Sequence, residues 1–184
     1  MIAIVLASAA GIAAIDQIIK YFVLEYLVPV HSVDVIQGLL SLVYVENRGV
    51  AFGMLQDHVW IFAVITTLLI AAIIYVIAAK KLTGKLFAVA AMLLIGGGIG
   101  NLIDRVFRGF VIDYLSLSFF PPVCNFADYC ITIGAVLFVI VMLMSGKKDG
   151  SSKKTAAASD SVEEAESSDK DGAETESEAS AENE

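Results

Sequence analysis

Little in this sequence can hold a metal or a disulfide framework. Among 184 residues there are two cysteines, Cys124 and Cys130, and two histidines, His31 and His58. They form no Cys/His cluster, so neither a zinc site nor a disulfide scaffold is expected. On a helix, six residues would set the cysteines about 9 Å apart along the axis, beyond the reach of a bridge. Free thiols are expected. A nucleotide site is poorly supported as well: the run Gly96-Gly97-Gly98-Ile99-Gly100-Asn101 contains no GxGxxG and follows no strand. The chain also lacks a detectable internal repeat, and no Lys or Arg precedes its first apolar run.

What is present is apolar. Hydrophobic residues make up 58% of the chain and the mean hydropathy is +0.78, which moves the prior from a soluble domain to a membrane protein. The net charge of −8 belongs to one end: residues 1–145 carry seven Lys/Arg against eight Asp/Glu, whereas residues 146–184 carry five against twelve. Four spans are expected, at about 1–24, 59–79, 86–103 and 125–145. Val59–Ala79 is 21 residues without a charge, long enough to cross a bilayer. The first run resembles a cleavable signal peptide at Ala7-Ser8-Ala9, but the apolar pattern resumes at Tyr21-Phe22-Val23-Leu24, and a retained span is expected. Lysines cluster after spans two and four, which puts both termini in the cytoplasm and loops 25–58 and 104–124 outside. Residues 146–184 contain no aromatic residue and only Val162 among branched aliphatics. They cannot offset chain entropy by burial and are expected to form a disordered acidic cytoplasmic tail.

Between the first two spans, Val33–Ile36 and Leu40–Val45 are short β-prone runs around Gln37-Gly38, a hairpin pattern. Such a sheet belongs at the membrane surface, since an open edge cannot face lipid. Phe107, Phe110, Tyr114, Phe119 and Phe120 suit an amphipathic segment lying in the interface, with Arg108 as an anchor. Gly96 and Gly100 make a face of small residues suited to helix packing.

The unusual polar groups fall at one level. Asp16 and Lys20 lie roughly 22–28 Å up the first span, Asn101 is about as far up the third, and Asp104 and Arg105 emerge just beyond it. Asn125 and Asp128 open the fourth span, where they also fit as helix cap and N3 acid. Asp16 and Lys20 are four apart and share a helix face. Each charge alone would cost roughly 2.5–3.5 kcal/mol in a bilayer. Carboxylates gathered at one membrane surface fit peptide hydrolysis by an acid pair. A proton pathway or transporter, a structural scaffold, and a thiol peptidase using Cys124 with His31 or His58 are the alternatives.

Five motifs in order resemble the lipoprotein signal peptidase (signal peptidase II) family. They are Asp16–Lys20, Asn47-Arg48-Gly49-Val50-Ala51-Phe52-Gly53, Gly96–Arg105, Val111-Ile112-Asp113-Tyr114 and Asn125-Phe126-Ala127-Asp128. The resemblance spans about 145 residues. It implies an all-α polytopic membrane protein with four transmembrane helices, a small extracytoplasmic β-cradle and an interfacial amphipathic segment. It also implies a bacterial aspartic endopeptidase of the plasma membrane, cutting diacylglyceryl-modified prolipoproteins just before the lipidated cysteine. Asp113 and Asp128 match the family's catalytic pair, and Asp16, Lys20, Asn47, Asn101, Arg105 and Asn125 its substrate-binding and supporting residues. No metal, other cofactor or nucleic acid is implied. The partners are lipidated prolipoproteins and membrane lipid, met by a monomer. The sequence departs from the motifs at Cys124, where Phe is usual, and at Tyr114, where Phe is common.

Overall fold

The computed structural model describes residues 2–49, 59–80 and 83–144. The motif positions Val50–Gly53, His58 and the acidic tail lie outside the described residues. The packing and the site described below lie within the compact unit that ends at Val139.

Among the described residues, the apolar runs form four helices long and apolar enough to cross a membrane. Helix α1 spans Ile2–Phe22 and continues as a π-helical turn over Val23–Leu27. Helices α2, α3 and α4 span Val59–Ala78, Lys85–Phe107 and Phe126–Met144. The expected hairpin is present as β1 (Ser32–Ile36) and β2 (Leu40–Asn47), turning at Gly38, whose φ of 73° suits glycine.

Two expectations need correcting. Helix α3 runs one turn past Ile103, so Asp104 and Arg105 belong to its last turn instead of following it. The segment expected to be an amphipathic connection is a second hairpin, β3 (Val111–Leu117) and β4 (Phe120–Cys124), and Tyr114 is in the core. Among the described residues the fold is therefore four helices plus a four-stranded antiparallel sheet of order β1-β2-β3-β4. The apolar content of 107–124 hid the strands, because β-branched and aromatic residues serve an interfacial segment and a half-buried strand equally. Pro121 and Pro122 fit β4 because it is an edge strand.

One sheet face packs on the C-terminal end of α1. Val23 and Leu27 of the π-helical turn form a buried cluster with Ile112 and Tyr114, flanked by Ile19, Leu42, Leu115 and Phe126. Between Leu42 and Val45 the β2–β3 register shifts, so that β2 advances three residues while β3 retreats from Leu115 to Asp113. This bulge places Asp113 opposite Val45, in a position where the ladder is locally bent.

Helix α3 is the hub, and its glycines show why. Successive residues turn by about 100° around a helix, so three adjacent glycines face three neighbours. A Cβ on Gly96 would meet Ala9 O of α1 at 2.8 Å, one on Gly97 would meet Ala127 O of α4 at 2.6 Å, and one on Gly98 would meet Ile70 Cδ1 of α2 at 3.2 Å. At Gly100 the neighbour is the Asp16 carboxylate, 2.6 Å from an added Cβ. The glycines let a carboxylate and two backbones approach α3, as expected for a packing face.

Gly97→Ala is expected to destabilise the fold by about 1–3 kcal/mol, the usual range for overpacking, because the atom it meets is backbone. Gly98→Ala should cost much less, since Ile70 Cδ1 is the mobile end of a side chain. Thermal unfolding of the two variants in detergent checks the contrast; equal melting shifts would contradict it.

Candidate active site

The site is built around the first turn of α4. The first four N–H groups of a helix have no partner within it, and here each is taken by a different side chain. Asn125 N–H donates to Asp128 Oδ2 at 3.1 Å, and Asp128 N–H returns to Asn125 Oδ1 at 2.9 Å, a reciprocal cap. Phe126 N–H donates to the Tyr114 hydroxyl oxygen of β3 at 3.2 Å. Ala127 N–H donates to Asp16 Oδ1 of α1 at 3.2 Å. The capping reading of Asn125 and Asp128 is correct, and the same two residues also do more.

Asn125 joins the two carboxyl groups. Its Nδ2 donates to Asp113 Oδ1 at 2.6 Å while its backbone holds Asp128. Asn47 Nδ2 donates to the other oxygen of Asp113 at 2.9 Å. The acceptors of the two amides fix which way they face: Asn47 Oδ1 accepts Gly49 N–H and Asn125 Oδ1 accepts Asp128 N–H. Asp113 is almost completely buried. Burial, and then the charge of Asp128, push its carboxyl up to about 6 against the pull of the two amide donors.

Beneath the pair lies a buried charge cluster. Lys20 Nζ sits 2.7 Å from Asp16 Oδ2 and 2.7 Å from Asp104 Oδ2, with all three side chains fully buried. Asp104 Oδ1 also receives Arg108 at 2.6 Å, and Asp104 Oδ2 accepts Ile112 N–H at 3.2 Å. Gln17 closes the group, donating to Asp16, Gly100 O and Asp104 and accepting from Arg108. Two acids and two bases thus cancel. Among the described residues no buried side-chain nitrogen or oxygen lacks a partner.

A single amide connects this cluster to the pair above. Asn101 Oδ1 accepts from Lys20 at 3.0 Å, and Asn101 Nδ2 donates to Asp128 Oδ1 at 2.7 Å. The ammonium fixes the oxygen end of Asn101, so only the donor end can face Asp128. Arg105 donates to Asn101 O at 3.3 Å and lies over the Phe62 ring, 5.9 Å from its centroid.

All eight residues singled out from the sequence converge here: Asp16, Lys20, Asn47, Asn101, Arg105, Asp113, Asn125 and Asp128. Three further residues belong to the site that the sequence alone does not assign to it. Asp104 stands there among the polar groups at the end of the third span and within a motif, and Gln17 carries no signal of its own. Arg108 fits an interfacial anchor by sequence, whereas it binds Asp104 and Gln17. The Asp104–Arg108 spacing of four is the signal that could have found them. Arg48 turns outward to Glu46 at 2.7 Å and over Phe110. The cysteines are both unpaired. Burial and the nearby Asp128 and Asp113 push the Cys124 thiol up, and its sulfur contacts Pro122 O. His31 is exposed. That environment suppresses the thiolate a cysteine peptidase needs. Among the described residues no three His, Cys, Asp or Glu side chains are grouped to hold a metal ion.

Known proteins share this arrangement of sequence and fold. Residues 8–144 match the family model for signal peptidase (SPase) II. A lipoprotein signal peptidase of Caldanaerobacter subterraneus subsp. tengcongensis is 42% identical over 137 residues, 74% of this chain and 94% of that protein. Two solved structures, each described as a bacterial membrane enzyme, superpose with TM-scores of 0.69 and 0.70 at 29% and 31% identity. They cover 79% and 78% of this chain, and it covers 91% and 94% of theirs.

Replacing Lys20 by Met would leave Asp16 and Asp104 facing each other without the cation between them. Removing one partner from a buried ionic group costs about 3–5 kcal/mol, and a loss of that order is expected in the unfolding free energy in detergent. The double variant Asp16→Leu/Lys20→Met restores charge balance, because Asp104 keeps Arg108, and should recover part of the loss. It should not recover all, since Ala127 N–H loses its acceptor. A Lys20→Met protein as stable as the wild type would contradict the reading of the cluster.

Proposed function

The chain belongs to the signal peptidase II family, and from that premise we propose that it is an aspartic endopeptidase whose catalytic pair is Asp113 and Asp128. It removes signal peptides from diacylglyceryl-modified prolipoproteins, cutting before the lipidated cysteine. The observation that carries the reading is the Asn125 bridge: one residue holds a carboxyl of β3 and a carboxyl of α4 at once. Two carboxyls kept close cannot both ionise easily, so the pair retains a shared proton without a metal.

Hydrolysis then balances within the pair. The ionised carboxylate takes a proton from water as its oxygen attacks the scissile carbonyl carbon. The protonated carboxyl donates to the carbonyl oxygen, and a tetrahedral diol forms. One proton passes on to the leaving nitrogen as the C–N bond breaks, and one stays with the pair, restoring its starting state. Base and acid belong to the pair as a unit. Lys20 through Asn101 fixes the orientation of Asp128, while Asn47 fixes Asp113. The Arg105 guanidinium supplies positive charge beside the developing oxyanion.

The location suits a lipidated substrate. The chain is a multi-pass membrane protein. With lysines clustered after the second and fourth spans, both termini are cytoplasmic and the sheet is at the extracytoplasmic face. The turns of the two hairpins lie side by side, with Ser118 Oγ donating to Gly38 O at 2.7 Å, and they expose Leu39, Phe119 and Phe120. No charge occurs in 35–45 or 114–127, which fits a tip resting in the membrane interface. The substrate's acyl chains stay in the bilayer while its scissile bond reaches the pair. All the proposed site residues come from one chain, so a monomer suffices, and residues 146–184 contribute none of them.

The decisive assay uses purified protein and compares a diacylglyceryl-modified prolipoprotein with its unmodified precursor. Cleavage before the cysteine in the modified substrate alone is expected; equal cleavage of both would sink the lipoprotein-specific reading.

Asp113→Asn and Asp128→Asn should each insert and bind substrate but lose turnover by orders of magnitude. The double variant should be little worse than either, since groups acting as a unit are strongly non-additive. The pair also predicts a titration. Asp113 should lose its proton near pH 6, and in Asp128→Asn, with one cause of the upward shift removed, at lower pH. Infrared difference spectra of the carboxyl stretch read both. Multiplicative losses of turnover, or an unmoved Asp113 titration, would break the pair.

A further inference from the structure

Tyr114 follows the proposed catalytic Asp113 directly on β3, and neighbours on a strand leave it on opposite faces. Yet both side chains end on the start of α4. Asp113 accepts from the Asn125 side chain, and the Tyr114 hydroxyl accepts from Phe126 N–H at 3.2 Å. The start of α4 is therefore held by β3 from two directions, and Asp128 lies two residues beyond Phe126. Packing holds the ring in place, since Tyr114 is only 4% exposed and lies against Val23, Leu27 and Ile112. Burial pushes its phenol upward, so the hydroxyl stays neutral. It can then accept an N–H without placing a charge beside two carboxyls.

We propose that the Tyr114 hydroxyl is a positioning group for the aspartate pair, latching the first turn of α4 to β3 and thereby setting how closely Asp128 is held to Asp113. The other three N–H groups of that turn bind to α4 itself or to α1. Tyr114 alone connects this backbone to the strand bearing the other carboxyl. The aromatic ring would fill the same core space without the hydroxyl, as the Phe common in the resembling motif does. The hydroxyl's contribution is thus a refinement of an arrangement that Asn125 and Asp16 also maintain, and its effect should be several-fold.

This inference rests on the reading of Asp113 and Asp128 as a pair, and the experiment separates the two. Tyr114→Phe in the full chain removes one oxygen from a packed ring. With a diacylglyceryl-modified prolipoprotein, kcat is expected to fall about 3- to 10-fold, in line with the net worth of one hydrogen bond, while KM stays unchanged. In the substrate-free protein the Asp113 carboxyl should titrate at lower pH than in the wild type, because a looser α4 start weakens the effect of Asp128. A lower melting temperature with unchanged kcat and Asp113 titration would make Tyr114 merely structural and overturn the proposal. So would wild-type values throughout. If Asp128→Asn instead turns over normally, the pair itself fails. The Asp113 titration in Tyr114→Phe still reports whether the latch sets the distance between the two groups, and an unmoved titration there rejects it independently of turnover.

Discussion

The structure depends on an ammonium group enclosed by two carboxylates within apolar helices. Lys20 meets Asp16 and Asp104 at 2.7 Å each, with no exposure of any of the three. Placing such charges in a bilayer is unfavourable by several kcal/mol, and attraction offsets this only when the geometry is good and every remaining lone pair is satisfied. Here Asp16 gives its second oxygen to Ala127 N–H, and Asp104 gives its oxygens to Arg108, Gln17 and Ile112 N–H as well. The cluster therefore ties α1, α3, β3 and α4 together through directional bonds. Apolar packing among spans could not supply that, because lipid competes for the same surfaces.

Asn101 carries the geometry of this cluster outward to the site. An amide has one accepting and one donating end, and Lys20 occupies the first. The donating end then requires an acceptor at Asp128. Substituting another polar residue for Lys20 would release Asn101 to turn round. In this sense a lysine two hydrogen bonds away controls the polarity of the site, with Asn101 as the connection.

Sequence spacing revealed the Asp16–Lys20 pair, the β1–β2 hairpin, the four helices and the polar residues that meet at one site. These features are local: an i,i+4 pair, a turn glycine and an uncharged run can each be read within one window. Asp104 and Arg108 were harder to place, because an acid and a base at a span's end are ordinary where they face water. Only α3's extra turn and the proximity of α1 show them within the site. The strands β3 and β4 were hidden for a related reason. Apolar residues such as Phe119, Phe120 and Tyr114 suit an interface or a sheet, and the partner strand β2 is more than 60 residues away in sequence. By sequence Tyr114 is an interfacial aromatic that departs from a motif where Phe is common; its hydroxyl on Phe126 N–H shows what the departure adds.

The alternatives to a peptidase differ in what they require of these groups. A proton pathway needs titratable side chains with access to both sides, whereas Asp16, Lys20 and Asp104 are locked into a neutral, fully bonded cluster. A scaffold needs the cluster but has no use for Asp113, a carboxyl buried in a strand beside a second acid, both of which raise its proton affinity. A thiol enzyme needs a stabilised thiolate, and the environment of Cys124 opposes one. What remains is a division of labour between two depths. The lower group is balanced in charge and immobile, and it fixes Asp128 through Asn101. The upper group is two acids, held by amides that donate but take no proton. Such an arrangement persists only where surrounding structure holds it, and here Asn101 ties it to the cluster below.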